Sequence, residues 1–143
     1  MNRDIEFRGK HADEWIYGYI IEEKNKDKSK YYITKHCEIG SWYYVKTETI
    51  GQYTGLKDKN GKKIFEGDII RLDDDYRKLI SSANAKTEED LVRKDCLVGF
   101  KEGSFMFCRS KYFIDEFDSY LWLTEKHCEV IGNIYENKEL VEV

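Results

Sequence analysis

The sequence predicts a mainly β protein, and two observations support this prediction. Aromatic residues account for 15% of the 143-residue chain and include 11 tyrosines, and such side chains favour sheets, where they bury a large area. Residues 49–72 carry four glycines between short apolar runs. A chain that turns at such short intervals is expected to form a small curled sheet and not a layer of helices.

Residues 1–48 are predicted to form an N-terminal antiparallel sheet. Aromatic and β-branched residues dominate 15–21, 31–34 and 42–45, and these residue types pair well across neighbouring strands. The polar run 22–30 between the first two strands is predicted to be a loop. The expected result is a sheet of three or four strands.

Residues 49–143 are predicted to form a second part, a small and partly closed C-terminal β-barrel. The turn sequence Asp-Lys-Asn-Gly lies at 58–61, near its start. This sequence fits a type I turn closed by Gly61 in the left-handed region, and it also fits a two-residue turn at Asn60 and Gly61. Both turns would reverse the chain between two strands.

A second hairpin is predicted at 96–108, where two apolar runs flank a glycine-containing turn. Two registers are compatible with its sequence. A three-residue loop would place Cys96 opposite Cys108, whereas a four-residue loop would place Val98 opposite Phe107.

One short helix is predicted at 88–94, inside an insertion at 73–95 between the two β units. Thr87 and Asp90 have the spacing of a capping box, and two glutamates follow Thr87. Acidic residues in the first turn of a helix interact favourably with its dipole.

The end of the chain contains a strong strand signal at 129–135, whereas 112–123 fits either a helical turn or an irregular strand. The predicted core draws on both parts of the chain. It comprises Phe7, Trp15, Tyr17, Ile64, Ile69, Leu97, Val98, Phe100, Phe105, Ile131 and Ile134.

Composition and charge indicate a cytoplasmic protein. The net charge of −4 favours solubility and gives no general attraction to nucleic acid or to an anionic membrane. No apolar run approaches the roughly 20 residues that span a bilayer, and the charged N-terminus lacks the apolar segment of a signal peptide. The four cysteines are therefore expected to be reduced.

No cofactor, metal site or catalytic set is predicted. The best zinc candidates are His36-Cys37 and His127-Cys128, but adjacent residues on a strand point to opposite faces and cannot chelate one ion. Acidic residues cluster at 73–75 and 115–118. Metal-dependent chemistry would need such carboxylates in a dry cleft, and the basic residues near them favour solvated loops. The chain is not expected to be an enzyme.

Four segments together resemble the YopX family, whose members are small proteins of phages and prophages of Gram-positive bacteria. They are FRGK at 7–10, WIYG at 15–18, GLKDKNGKKIFEGDII at 55–70 and EVIGNIYEN at 129–137. The resemblance extends over nearly the whole chain. It implies a mainly β protein from a mobile element, and it implies no activity.

The preferred hypothesis for function is a non-catalytic β module that contacts a regulatory protein of a phage or its host. A second copy of the chain is also a candidate partner. The alternative is a small nucleic-acid-binding barrel, in which cations around one hairpin bind phosphates and a nearby ring stacks on a base. Its candidate residues are Tyr53, Lys57, Lys59, Lys62 and Lys63. A metal-dependent enzyme that uses the acidic loops is the least favoured hypothesis.

Overall fold

This computed structural model describes residues 3–38, 40–113, 116–121 and 125–142. In these residues the protein has two antiparallel sheets and a single α-helix. The prediction of a mainly β protein is confirmed. Contacts between residues divide the chain into two compact units, Met1–Gly55 and Leu56–Val143.

The first sheet contains six strands in the order β4-β3-β2-β1-β5-β6. The strands are β1 (Phe7–His11), β2 (Glu14–Lys24), β3 (Ser29–Thr34), β4 (Tyr43–Tyr44), β5 (Gly51–Lys57) and β6 (Lys63–Phe65). The loop predicted at 22–30 is wrong at both ends, because Glu22 pairs with Tyr31 and Glu23 pairs with Lys30. Opposite charges across the ladder extend both strands into the polar run.

The first sheet curls around a small aliphatic core. Ile16, Ile33 and Val45 are fully buried and form this core. A Cβ atom on Gly9 would lie 3.0 Å from the Cβ atom of Val45, so glycine permits the close approach of β1. The backbone N–H of Lys46 donates to the carbonyl oxygen of Lys10 at 2.8 Å, which links the end of β4 to β1.

The second sheet contains five strands in the order β10-β9-β8-β7-β11. Its elements are β7 (Asp68–Leu72), α1 (Asp74–Ile80), β8 (Asp95–Lys101), β9 (Ser104–Phe107), β10 (Ser119–Tyr120) and β11 (Cys128–Asn133). In the described residues this sheet stays open, so it differs from the partly closed barrel that the sequence predicts. The short β10 lies within 112–123 and supports the irregular-strand alternative there, although Ile114, Asp115, Trp122 and Leu123 lie outside the described residues.

The hairpin of β8 and β9 has the register that places Val98 opposite Phe107. Strand pairing continues to Lys101 and Ser104, so the turn consists of Glu102 and Gly103 and the predicted four-residue loop is wrong. Both turn residues have positive φ angles, of 51° and 79°, as tight two-residue hairpin turns require. The alternative with Cys96 opposite Cys108 is wrong.

The helix predicted at 88–94 is wrong, because the α-helix lies earlier, at Asp74–Ile80. Its N-cap is Asp73, whose carboxylate accepts a hydrogen bond from the backbone N–H of Tyr76 at 2.8 Å. Residues Glu88–Asp90 form only a 3-10 turn. The predicted capping interaction exists, since Asp90 accepts from the N–H of Thr87 at 2.9 Å, but the chain becomes extended at Leu91, which is buried.

Most residues of the predicted core are at least partly buried, but two are exposed. Ile64, Ile69, Leu97 and Val98 are buried. Tyr17 is 41% exposed and Phe100 is 51% exposed, so these two predictions are wrong. Side chains alternate between the faces of a strand, and Tyr17 therefore points away from its buried neighbour Ile16.

The turn between β5 and β6 is held by the carboxylate of Asp58. The N–H of Gly61 donates to the carbonyl oxygen of Asp58 at 3.0 Å, and Gly61 has a φ of 81°, which confirms the type I alternative. Asp58 is only 6% exposed. Its carboxylate accepts hydrogen bonds at 2.9 Å from three backbone N–H groups, those of Asn60, Lys62 and, on β11, Val130.

Replacement of Asp58 should therefore destabilise the second unit. Asp58→Ala leaves buried donors without an acceptor, and we expect it to lower the free energy of unfolding by about 3 kcal/mol in urea titrations. Lys59→Ala, which alters an exposed side chain in the same turn, should cost less than about 0.5 kcal/mol. Equal effects of the two substitutions would contradict a structural role for the carboxylate.

Candidate binding surface

The outer side of the first sheet carries a group of aromatic side chains, which we call the outer aromatic face. Paired residues of an antiparallel ladder share a face, and the pairs Arg8–Tyr17, Ile21–Tyr32 and Tyr32–Tyr44 place these side chains on one side. The face comprises Trp15, Tyr17, Tyr19, Tyr32, Trp42 and Tyr44. It is opposite the face that buries Ile16 and Ile33.

Four of these rings are strongly exposed. The exposed fraction is 41% for Tyr17, 55% for Tyr19, 60% for Trp42 and 50% for Tyr44. Single exposed aromatic residues are normal on protein surfaces, but a continuous group on one sheet face is typical of an interaction site.

Contacts between side chains hold the rings in place. The ring of Tyr32 lies 6.0 Å from that of Trp42 and 5.7 Å from that of Tyr44, measured between centroids. The ring of Tyr19 meets that of His36 edge-on at 4.5 Å. Since these contacts restrict the rings before any partner arrives, binding would cost less conformational entropy.

Cations stack on one end of the outer aromatic face. The guanidinium of Arg8 lies 4.7 Å from the centre of the Trp15 ring, and the ammonium of Lys10 lies 5.5 Å from it. Arg8 is only 5% exposed, so water screens this cation–π interaction weakly.

The phenol of Tyr32 has a raised pKa, and the main cause is a hydrogen bond with Glu23. The phenol therefore stays neutral and can donate a hydrogen bond.

The residues predicted for nucleic-acid binding fall in different places. Tyr53 lies in the first unit and is 5% exposed, so its ring offers no open face for a base. Lys57, Lys59 and Lys62 are exposed in the second unit, and Lys63 is partly buried there.

An open concavity of about 290 Å³ lies beside these lysines. It is lined by Lys57, Asp58, Lys59, Glu125 and Lys126. The contribution of Lys126 was missed from the sequence, because it comes from a distant segment that the hydrogen bond between Asp58 and Val130 brings close. The outer aromatic face was missed as a site because aromatic content alone does not show which rings share a face.

The residues considered for metal or acid chemistry have other contacts. His127 Nδ1 lies 3.0 Å from the carboxylate of Asp73, and the His127 ring stacks on Tyr76 at 4.9 Å. His36 lies 3.9 Å from Glu6, and Asp118 lies 3.3 Å from Arg109. No group of three or more metal-ligating side chains occurs among the described residues, which exclude Asp115.

Three of the four cysteines are buried, and only Cys37 is exposed. Desolvation by burial raises the pKa of the thiols of Cys96 and Cys108. A raised pKa keeps a thiol protonated, whereas nucleophilic chemistry needs the thiolate.

Almost the whole chain matches one known protein family. The model of the YopX protein family matches residues 6–142. The chain belongs to the YopX family. Among solved structures, it is similar to protein EF1440 from Enterococcus faecalis, with 25% sequence identity and a TM-score of 0.48 over 99% of this chain and 100% of that one. No functionally curated protein matches the chain.

Within the described ranges of this YopX protein, no helix combines the length and the apolar composition needed to cross a membrane.

The contacts of Asp73 predict a dependence of stability on pH. Partial burial tends to raise the pKa of Asp73, but hydrogen bonds from the Tyr76 N–H and from His127 outweigh it, and the net pKa is lowered. A lowered folded-state pKa stabilises the protein above the unfolded pKa of about 4, and this stabilisation is lost as the pH falls through the folded value.

Asp73→Asn keeps a good N-cap and removes the ionisation. Because Asp73 is partly exposed, we expect the wild type to be more stable than this variant by about 1 kcal/mol or less at pH 5, and the difference should shrink below about pH 4. Asp75→Asn, a loss of charge in the same helical turn, is the control. Urea unfolding at each pH measures the effect, and an unchanged difference between wild type and Asp73→Asn would contradict it.

Proposed function

We propose that this YopX protein is a non-catalytic binding module of a phage or prophage that contacts a regulatory protein in the bacterial cytoplasm through its outer aromatic face. The observation that carries the proposal is the exposure of Tyr17, Tyr19, Trp42 and Tyr44 together on one side of one sheet. A surface of this kind is costly to leave in water unless a partner covers it.

The chemistry of the face favours a protein partner over a nucleic acid. Tyrosine, tryptophan and arginine are the residue types that supply most binding energy at protein interfaces. Charges of both signs lie on this side of the sheet, where Glu23 pairs with Lys30. A phosphate backbone would instead require an excess of cations.

Other features support a non-catalytic role. The thiols of Cys96 and Cys108 are buried, with raised pKa values. The carboxylate of Asp58 accepts backbone hydrogen bonds and that of Asp73 caps a helix. Both carboxylates are used to stabilise the fold.

Substitution of exposed rings should weaken partner binding and leave the fold intact. We expect Trp42→Ser and Tyr44→Ser each to weaken binding at least about tenfold, because exposed rings at the centre of an interface act as hot spots. Tyr112→Ser is the matched control, since Tyr112 is 80% exposed and lies in the second unit. The partner is first captured by cross-linking in bacteria that express the protein, and its affinity for each variant is then measured by calorimetry.

Two outcomes would contradict the proposal. One is a purified partner that binds the Trp42 and Tyr44 variants as tightly as it binds the wild type. The other is light scattering that shows a stable dimer of the wild type and monomers of these variants, which would identify a second copy of the chain as the occupant of the face.

The alternative function, nucleic-acid binding, is favoured by the concavity that Lys57, Lys59 and Lys126 line. It predicts salt-dependent retardation of single- or double-stranded DNA, which Lys57→Gln combined with Lys59→Gln should weaken about uniformly across sequences. Lys86→Gln, an exposed lysine outside the concavity, is the control. Absence of any retardation at low salt would exclude this alternative.

A further inference from the structure

A second cavity, which we call the arginine cavity, lies within Leu56–Val143. It is open to solvent and has a volume of about 400 Å³. Its lining contains the cations Arg77, Arg93, Lys94 and Lys111, which outnumber the three glutamates beside them. The lining therefore has an excess of one positive charge, on a protein whose net charge is −4.

Arg77 is a buried residue in the lining of this cavity. Its side chain is only 3% exposed, although a guanidinium is almost never buried without partners. One terminal nitrogen lies 2.6 Å from Glu88, the other lies 3.0 Å from Asp74, and Nε donates to the carbonyl oxygen of Val92 at 3.1 Å. The guanidinium thus has a fixed orientation.

The carboxylate partners of Arg77 are themselves exposed. The side chain of Glu88 is 71% exposed, and that of Asp74 is 60% exposed. Because these carboxylates are solvated, either can return to water, provided that the buried guanidinium gains another partner. Glu88 can therefore leave Arg77 if another carboxylate replaces it, and the buried charge then keeps a partner.

Arg93 supplies a second guanidinium with unused capacity. Its terminal nitrogens donate to the carbonyl oxygens of Ser110 at 3.1 Å and Val141 at 2.8 Å. Its Nε atom is buried and has no hydrogen-bond partner in the described part of the chain. A buried donor without an acceptor is unfavourable, and an acceptor that reached this nitrogen would reduce the cost.

We propose that the arginine cavity binds a carboxylate group of a ligand, which takes the place of Glu88 on Arg77. A guanidinium matches the two oxygens of a carboxylate in geometry and charge. In the free protein Glu88 competes with a ligand for Arg77. The apparent dissociation constant of the ligand is therefore its intrinsic value divided by the fraction of molecules in which Glu88 has left Arg77. A small free acid and an acidic side chain of a peptide present the same group.

The experiment compares succinate with a capped peptide that contains one glutamate. Binding is followed by NMR of the 15N–H signals of the arginine side chains. Glu88→Gln should tighten binding by about threefold to tenfold, because it removes the competing charge. Lys94→Gln, which alters an exposed lysine of the cavity lining, should weaken binding without a change in stability.

Lys62→Gln is the matched control, since it removes one exposed positive charge outside the arginine cavity. It should leave the affinity for either probe unchanged. Binding of succinate alone would indicate a small free acid as ligand, and binding of the peptide alone would indicate an acidic protein segment. The proposal is overturned if Glu88→Gln binds neither probe more tightly than the wild type, or if Lys62→Gln weakens binding as much as Lys94→Gln.

Discussion

The close packing of Gly9 against Val45 and Ile33 sets the shape of the first sheet. A Cβ atom on Gly9 would lie 3.0 Å from the Cβ of Val45 and 3.3 Å from the Cδ1 of Ile33. The interior that remains holds three aliphatic side chains, and Tyr31 and Tyr43 pack against it only partly buried. Side chains alternate between the faces of a strand, so Tyr17 and Tyr32, which adjoin Ile16 and Ile33 in sequence, lie on the outer side. The outer aromatic face is thus the side of the sheet opposite this small interior.

Asp58 and Arg77 are both buried charged residues of the second unit, and they have different consequences. The carboxylate of Asp58 accepts hydrogen bonds from three backbone N–H groups, so it has a structural role. The guanidinium of Arg77 is engaged by carboxylates that remain exposed. Burial of a charge is costly in both cases. Of the two, only Arg77 has partners that a ligand could replace, so only Arg77 is a candidate for binding.

The sequence predicts the β class, the turn at 58–61 and the strand near the C-terminus, because these depend on local patterns of glycine and apolar residues. It misplaces the helix, because capping patterns occur at both Thr87 and Asp73 and local sequence does not distinguish them. The chain is extended at Leu91, where the side chain is buried, and this ends the turn that begins at Thr87. The candidate surfaces depend on strand register and on contacts distant in sequence. Lys126 lines the concavity beside Lys57 and Lys59 because of a contact distant in sequence. Tyr17 shares a side with Arg8 because of the pairing between β1 and β2.

Radical footprinting with mass spectrometry measures the solvent exposure of individual rings, so it tests whether a partner covers the outer aromatic face. The protein is labelled once in buffer and once in the complex with its purified partner. We expect Tyr19, Trp42 and Tyr44 to be oxidised readily in buffer and to be protected in the complex, whereas Tyr112 should be oxidised equally in both. Protection confined to the second unit, with the outer aromatic face still reactive in the complex, would contradict this expectation.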